Sequence, residues 1–176
     1  LTSGLGGMSG AQPKAGNIAG VITVVAEVNE LATMKRHEQG WVDEICTDLK
    51  QLSNRVKEAK SNNEVVSIAF NGNIVDVWEH FDKENIFVDI GSDQTSLHNP
   101  WAGGYYPAGV PLEEAKTMMA SDPGKFKPIV PHSFVRKADD LNNHTKKGTY
   151  FFDYGNAFLL EASRAGADIM AVNGID

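Results

Sequence analysis

The 176-residue chain has one cysteine, Cys46, so it has no internal disulfide, and its composition suits a reducing compartment. It has no apolar run near the ~20 residues that a bilayer-spanning helix needs, and its first residues lack the charged and apolar regions of a signal peptide. Basic residues are scarce. Sixteen Lys and Arg stand against twenty-three Asp and Glu, a formal net charge of −7. The bases are also interleaved with acids, as in Lys57-Glu58-Ala59-Lys60, which reads as a solvated helix face. Nucleic acid is therefore not expected as a partner, because binding phosphates along a strand needs clustered cations. No Cys, His, Asp and Glu set has metal-ligand spacing, so no metal is expected, and no nucleophile elbow is present. Internal repeats and low-complexity tracts are absent too.

What is present is a core-forming chain, 41% hydrophobic and 22% charged, enough for one globular domain over 1–176. Strand-like and helix-like apolar patterns alternate, which predicts an α/β fold with a mainly parallel sheet. A short helix is expected over 11–19 and a β-branched strand, buried on both faces, over 21–28. Residues 31–60 read as helical, broken at Gly40 and capped again by Asp43, with Cys46 as a buried thiol inside the second segment. Strands follow over 64–70, 86–90 and 149–154, and helices over 72–83, from Pro111 to Lys147 with interruptions near Pro123 and Pro128, and over 156–165. Residues 100–111 read as an irregular loop. Ligands of doubly wound sheets bind at the strands' carboxyl ends, where this chain repeatedly places Gly, Asn or Asp.

Two segments carry chemistry. In Gly4-Leu5-Gly6-Gly7-Met8-Ser9-Gly10 the missing side chains let the backbone turn tightly and approach a pyrophosphate, while the next helix aims free N–H groups and its positive end at the phosphate. Glu27 follows Gly7 by twenty residues, at the end of the next strand. That spacing suits an acid accepting from the adenosine ribose and favours NAD over NADP, whose 2′-phosphate would meet its charge. A glycine-rich surface turn is the plain alternative. The second segment, Asp93-Gln94-Thr95-Ser96-Leu97-His98-Asn99-Pro100, places six polar side chains in seven positions directly after an apolar strand, a density that points to a polar ligand. A capped turn with a solvated His98 is its alternative. As a catalytic group His98 would shuttle a proton or hold an anionic substrate.

These blocks, with Gly104-Tyr105-Tyr106-Pro107 and Phe152-Asp153-Tyr154-Gly155-Asn156, resemble successive blocks of the urocanase family, in family order and over nearly the whole chain. The resemblance implies a Rossmann-like, doubly wound domain with helices on both faces of the sheet, inserted between halves of a catalytic domain. Together with the opening directly on the loop, without an initiator Met, this predicts a piece of a larger enzyme that is inactive alone. It implies NAD⁺ used as an electrophile: a ring carbon of urocanate attacks the nicotinamide C4, water adds, and imidazolone propionate is released in histidine breakdown. It also implies a cytoplasmic homodimer. Carried over residue by residue, the cofactor contacts fall on Gly7, Met8 and Ser9, on Glu27, on Asn73 and Ile74, on Gln94, Thr95, Ser96, Leu97 and His98, on Tyr105 and Tyr106, and on Tyr154. The chain departs from the family pattern at Ser9, where many bacterial members have Gly, and at Ala32, where some have Arg. Two other classes share the loop and Glu27: an NAD-dependent oxidoreductase, and a nucleotide-binding module without catalysis. Neither asks for the segment from Asp93 to His98.

Overall fold

The computed structural model describes residues 1–93, 100–153 and 157–169, with the backbone alone at Ala102. It divides into two compact units, Leu1–Val88 and Asp89–Asp176.

The first unit is built on a four-stranded parallel sheet. Its strands are β1 (Thr2–Ser3), β2 (Ile22–Glu27), β3 (Glu44–Cys46) and β4 (Val66–Asn71), in the order β1-β2-β4-β3. The register puts Ser3, Ala26, Phe70 and Cys46 level, so all four strands run out at the same edge. The central strands are mostly apolar because both faces of a parallel sheet are covered. Val24, Val25 and Ala26 of β2 and Val66, Ile68, Ala69 and Phe70 of β4 are all buried. Helices α1 (Gln12–Ala19), α2 (Glu30–Glu38), α3 (Leu49–Asn62) and α4 (Ile74–Lys83) connect or follow the strands. α4 buries Val75, Val77, Trp78 and Phe81, and α3 buries Leu52, Val56 and Ala59, the 3–4 spacing of one helix face. Three helix starts are capped by side chains: Asn29 accepts from the Leu31 N–H, Asp48 from the Gln51 N–H and Asn73 from the Val75 N–H.

The single helical region expected over 31–60 is two helices with a strand between them. β3 is only three residues long, too short for a periodicity to declare itself, and it exists because its backbone completes the ladder beside β4. Cys46 is buried as expected, but at a strand end, and burial pushes its thiol up. The cap is Asp48. Asp43 instead holds the sheet edge, accepting from the Ser67 N–H, the Ser67 hydroxyl and the Asn17 amide at 2.7–2.8 Å.

The second unit holds a parallel pair, β5 (Ile90–Asp93) and β6 (Tyr150–Asp153), with Asp93 level with Asp153. A five-residue wide turn, Pro100–Gly104, opens the stretch expected to be irregular. Helices α5 (Leu112–Ser121), α6 (Pro123–Lys146) and α7 (Phe158–Arg164) complete it. The strand expected over 86–90 begins only at Ile90. Ile86 and Val88 are buried, and the Ile86 N–H closes the end of α4 on the Phe81 carbonyl. Pro128 does not interrupt α6, nor does Pro131. Each removes a helix bond at roughly 3 kcal/mol. The face formed by Phe126, Val130, Phe134, Ala138 and Leu141 is fully buried, and at about 1.5–3 kcal/mol per large apolar side chain it outweighs that loss. The break falls at Asp122, whose carboxylate accepts from the Lys125 N–H.

Candidate functional site

The carboxyl edge of the four-stranded sheet gathers the sequence-derived candidates of the first unit. β1 runs into the glycine loop, and the Gly4 N–H, with φ +93°, continues the ladder onto the Ala26 carbonyl. Gly6 donates its N–H to the Ser9 hydroxyl at 3.0 Å, so the serine at this position closes the loop on itself. A short 3₁₀ turn, Ser9–Ala11, then feeds α1. Gly7 is exposed, and a Cβ placed on it would meet nothing within 4 Å. Among the described residues no hydrogen bond engages the N–H of Gly7 or Met8. Exposed N–H groups at the start of a helix, with open space before them, are what an anionic group needs. Met8 is 87% exposed, so it offers the site its backbone and an uncommitted side chain.

Glu27 ends β2 at the same edge. One carboxylate oxygen accepts from the Leu5 N–H at 2.7 Å and the other from the Asn29 N–H at 2.8 Å. The acid therefore ties the glycine loop to the turn before α2, a structural duty that spacing alone did not reveal. Each oxygen retains a second lone pair for a ribose hydroxyl. The next strand end joins in: the Gly72 N–H donates to the Glu27 carbonyl at 2.9 Å, and Asn73 caps α4. Ile74 buries its side chain in the core, leaving only its backbone at the helix start to a ligand. Two buried acceptors near this edge, Asn71 Oδ1 and Gln12 Oε1, meet no partner among the described residues. Buried acceptors without donors are rare, and here they suit a ligand that carries hydroxyls or amino groups.

One residue went unseen in the sequence. Arg36, on α2, donates from Nε to the Leu5 carbonyl at 3.1 Å, from Nη2 to the Gly6 carbonyl at 2.5 Å, and from Nη1 to Gln39 at 2.9 Å. Its guanidinium lies 5.0 Å from the Trp41 ring centre, while Lys14 of α1 sits 5.5 Å from the same ring. Two cations thus border the loop in an acidic chain. The helix phase was the available signal: Arg36 is one turn beyond Ala32 on α2 and shares its face.

In the second unit, Tyr105 is buried and meets Phe134 edge-on at 4.8 Å, and Tyr106 is partly buried. Asp93, Lys137 and Asp153 meet at the carboxyl ends of β5 and β6. Lys137 is wholly buried, paired with the buried Asp93, and its ammonium lies 4.1 Å from the Phe158 ring centre. Burial pulls Lys137 well below the ordinary lysine range, and Asp153 opposes that pull. Asp153 also accepts from the Leu159 N–H at the start of α7. Gln94, Thr95, Ser96, Leu97, His98 and Tyr154 lie outside the described residues. Among the described residues no His, Cys, Asp and Glu group could hold a metal ion, and no helix is long and apolar enough to cross a membrane.

Residues 1–174 match the family model described as the urocanase Rossmann-like domain. The chain is 52% identical over 171 residues to a probable urocanate hydratase of Caenorhabditis elegans, covering 97% of this chain and 26% of that protein. It is 49% identical over 174 residues to the urocanate hydratases of Mus musculus and Homo sapiens, covering 96% of this chain and 26% of each. The chain thus spans about a quarter of the length of these relatives. A parallel sheet with a glycine loop, an acid and a capped helix start at one edge, matched over residues 1–174 by one family model, places this chain in the urocanase family, as its Rossmann-like domain.

Proposed function

We propose that this chain binds NAD⁺ and serves, within a longer protein, as the cofactor-binding part of a urocanate hydratase. The observation that carries the reading is the arrangement at the carboxyl edge of the four-stranded sheet. There Glu27 fastens the glycine loop while the N–H groups of Gly7 and Met8 stay open. In this assignment the backbone of Gly7, Met8 and Ser9 receives the pyrophosphate, Glu27 accepts from the adenosine ribose, and the start of α4 at Asn73 and Ile74 adds backbone donors. The negative Glu27 favours NAD over NADP because it would repel a 2′-phosphate. When bound, NAD⁺ supplies an electron-poor nicotinamide, and the protein's part is to hold it in one orientation and keep bulk water from it. The names of the relatives support urocanate as the substrate and its hydration as the reaction, with imidazolone propionate the product that the family resemblance implies. Tyr105, Tyr106, Gln94, Thr95, Ser96, Leu97 and Tyr154 keep their assignment to the cofactor from the family resemblance, and His98 its assignment as proton shuttle or anion holder. Residues 1–176 then form the NAD-binding domain of a cytoplasmic homodimeric lyase whose main catalytic residues lie elsewhere, and the chain alone turns over no urocanate.

Glu27→Ala tests the assignment. Loss of the ribose acceptor is expected to weaken NAD⁺ binding and, with the repelling charge gone, to narrow its advantage over NADP⁺. Unchanged affinities for both nucleotides would refute it.

A further inference from the structure

We propose that Arg36 is the positioning residue of the glycine loop, and that Gly10 lacks a side chain to make room for Arg36 rather than for a ligand. A Cβ built on Gly10 would lie 2.4 Å from Arg36 Nε and 2.7 Å from its Cζ. The guanidinium therefore occupies the space that any side chain at position 10 would take. From there it reaches the carbonyls of Leu5 and Gly6 with two arms of one rigid fork.

The consequence follows from peptide planarity. In a trans peptide the N–H points opposite to the C=O, so fixing one fixes the other. Holding the Leu5 carbonyl toward α2 turns the Gly6 N–H the other way, where it finds the Ser9 hydroxyl at 3.0 Å. Holding the Gly6 carbonyl toward α2 turns the Gly7 N–H away from α2 and leaves it uncommitted. The same carbonyl accepts from the Gly10 N–H at 3.1 Å, which locks the loop against the start of α1. Gly7 has no side chain to limit its backbone, so without the fork this peptide would be held by the Gly10 N–H alone. Arg36 is itself fixed beforehand by Gln39 and by the Trp41 ring. Its role is geometric: it acts on a ligand through the loop, and a point charge in the same place would not replace it.

The inference rests on the nucleotide reading of the loop only for its affinity arm, so two measurements are made on the full chain. Amide hydrogen exchange reports the loop itself. Arg36→Met and Arg36→Lys should both speed exchange at Gly6 and Gly10 about tenfold or more, with Val24 and Ile68 in the sheet unchanged. Calorimetric NAD⁺ binding should weaken by about tenfold or more in both variants, with little change in thermal midpoint. Gly10→Ala should have the same effect while keeping the cation, by pushing the flexible end of Arg36 off the loop. Unchanged exchange at Gly6 and Gly10 in Arg36→Met would overturn the proposal. So would full rescue by Arg36→Lys, because charge alone would then suffice. A wild-type chain without NAD⁺ affinity would sink the nucleotide reading, and the exchange arm would still decide the role of Arg36.

Discussion

Lys137 gives the sharpest energetic test. Its ammonium and the Asp93 carboxylate are both at zero exposure, so neither is screened by water and each depends on the other. Lys137→Met removes the cation and its contact with the Phe158 ring, leaving a carboxylate buried without its charged partner. Breaking one side of such a pair costs about 3–5 kcal/mol, while replacing both members with neutral groups of similar shape costs little. With an m-value of about 1–3 kcal/mol per molar urea, the single variant should lower the urea midpoint by about 1 M or more. The deficit should shrink in mild acid, since protonating Asp93 relieves its buried charge once the Lys137 cation is gone. Adding Asp93→Asn to Lys137→Met should recover much of the loss, and the cycle of these variants should show a coupling of about 1.5 kcal/mol or more. Equilibrium urea denaturation of the two single variants, the double variant and the wild type measures all of this. A single-variant loss below about 1 kcal/mol, or a double variant no better than Lys137→Met, would refute the reasoning. The outcome bears on function because Asp93 immediately precedes Gln94, the first residue of the polar segment.

Acid stability should depend on Asp43. Burial opposes its ionisation, but the Ser67 N–H, the Ser67 hydroxyl and the Asn17 amide outweigh that and hold the carboxyl below its ordinary value of 3.8. A lowered folded value means that its contribution is complete above the unfolded value and lost as pH falls through the folded one. Stability scanned against pH should therefore lose part of its acid limb, below about pH 4, in Asp43→Asn, and an unaltered limb would count against the network. Gly16→Ala should destabilise by about 1–3 kcal/mol despite the helix preference for Ala. Its Cβ would lie 1.8 Å from Thr23 Oγ1. Adding Thr23→Ala should restore most of the thermal midpoint, and failure of that rescue would show the close approach of α1 and β2 to be unimportant.

Some features could be read along the chain because their signals are local. The β-branched run around Val24 declares a strand buried on both faces, the run around Ile68 a second strand, and Gly72 before an apolar helix a turn. β3 could not be read, because its three residues become a strand only when β4 lies beside them. The strand placed over 86–90 failed for a related reason: Ile86 and Val88 alternate like a strand, yet they serve to bury the chain after α4. At the site, the loop and Glu27 stood out by spacing, whereas the two backbone donors on Glu27 are a property of the folded turn. Arg36 was invisible because its target is backbone, and no residue type in the loop advertises a carbonyl waiting for a guanidinium. The Lys137–Asp93 pair joins residues 44 positions apart, beyond any local pattern.

The most direct test of the central claim is a calorimetric titration of this chain with NAD⁺ and, separately, with NADP⁺. Saturable binding of NAD⁺ is expected, with a clear preference over NADP⁺ set by Glu27 at the loop. Equal affinity for the two nucleotides, or no binding of either to the chain and to a protein carrying it at the length of its relatives, would contradict it.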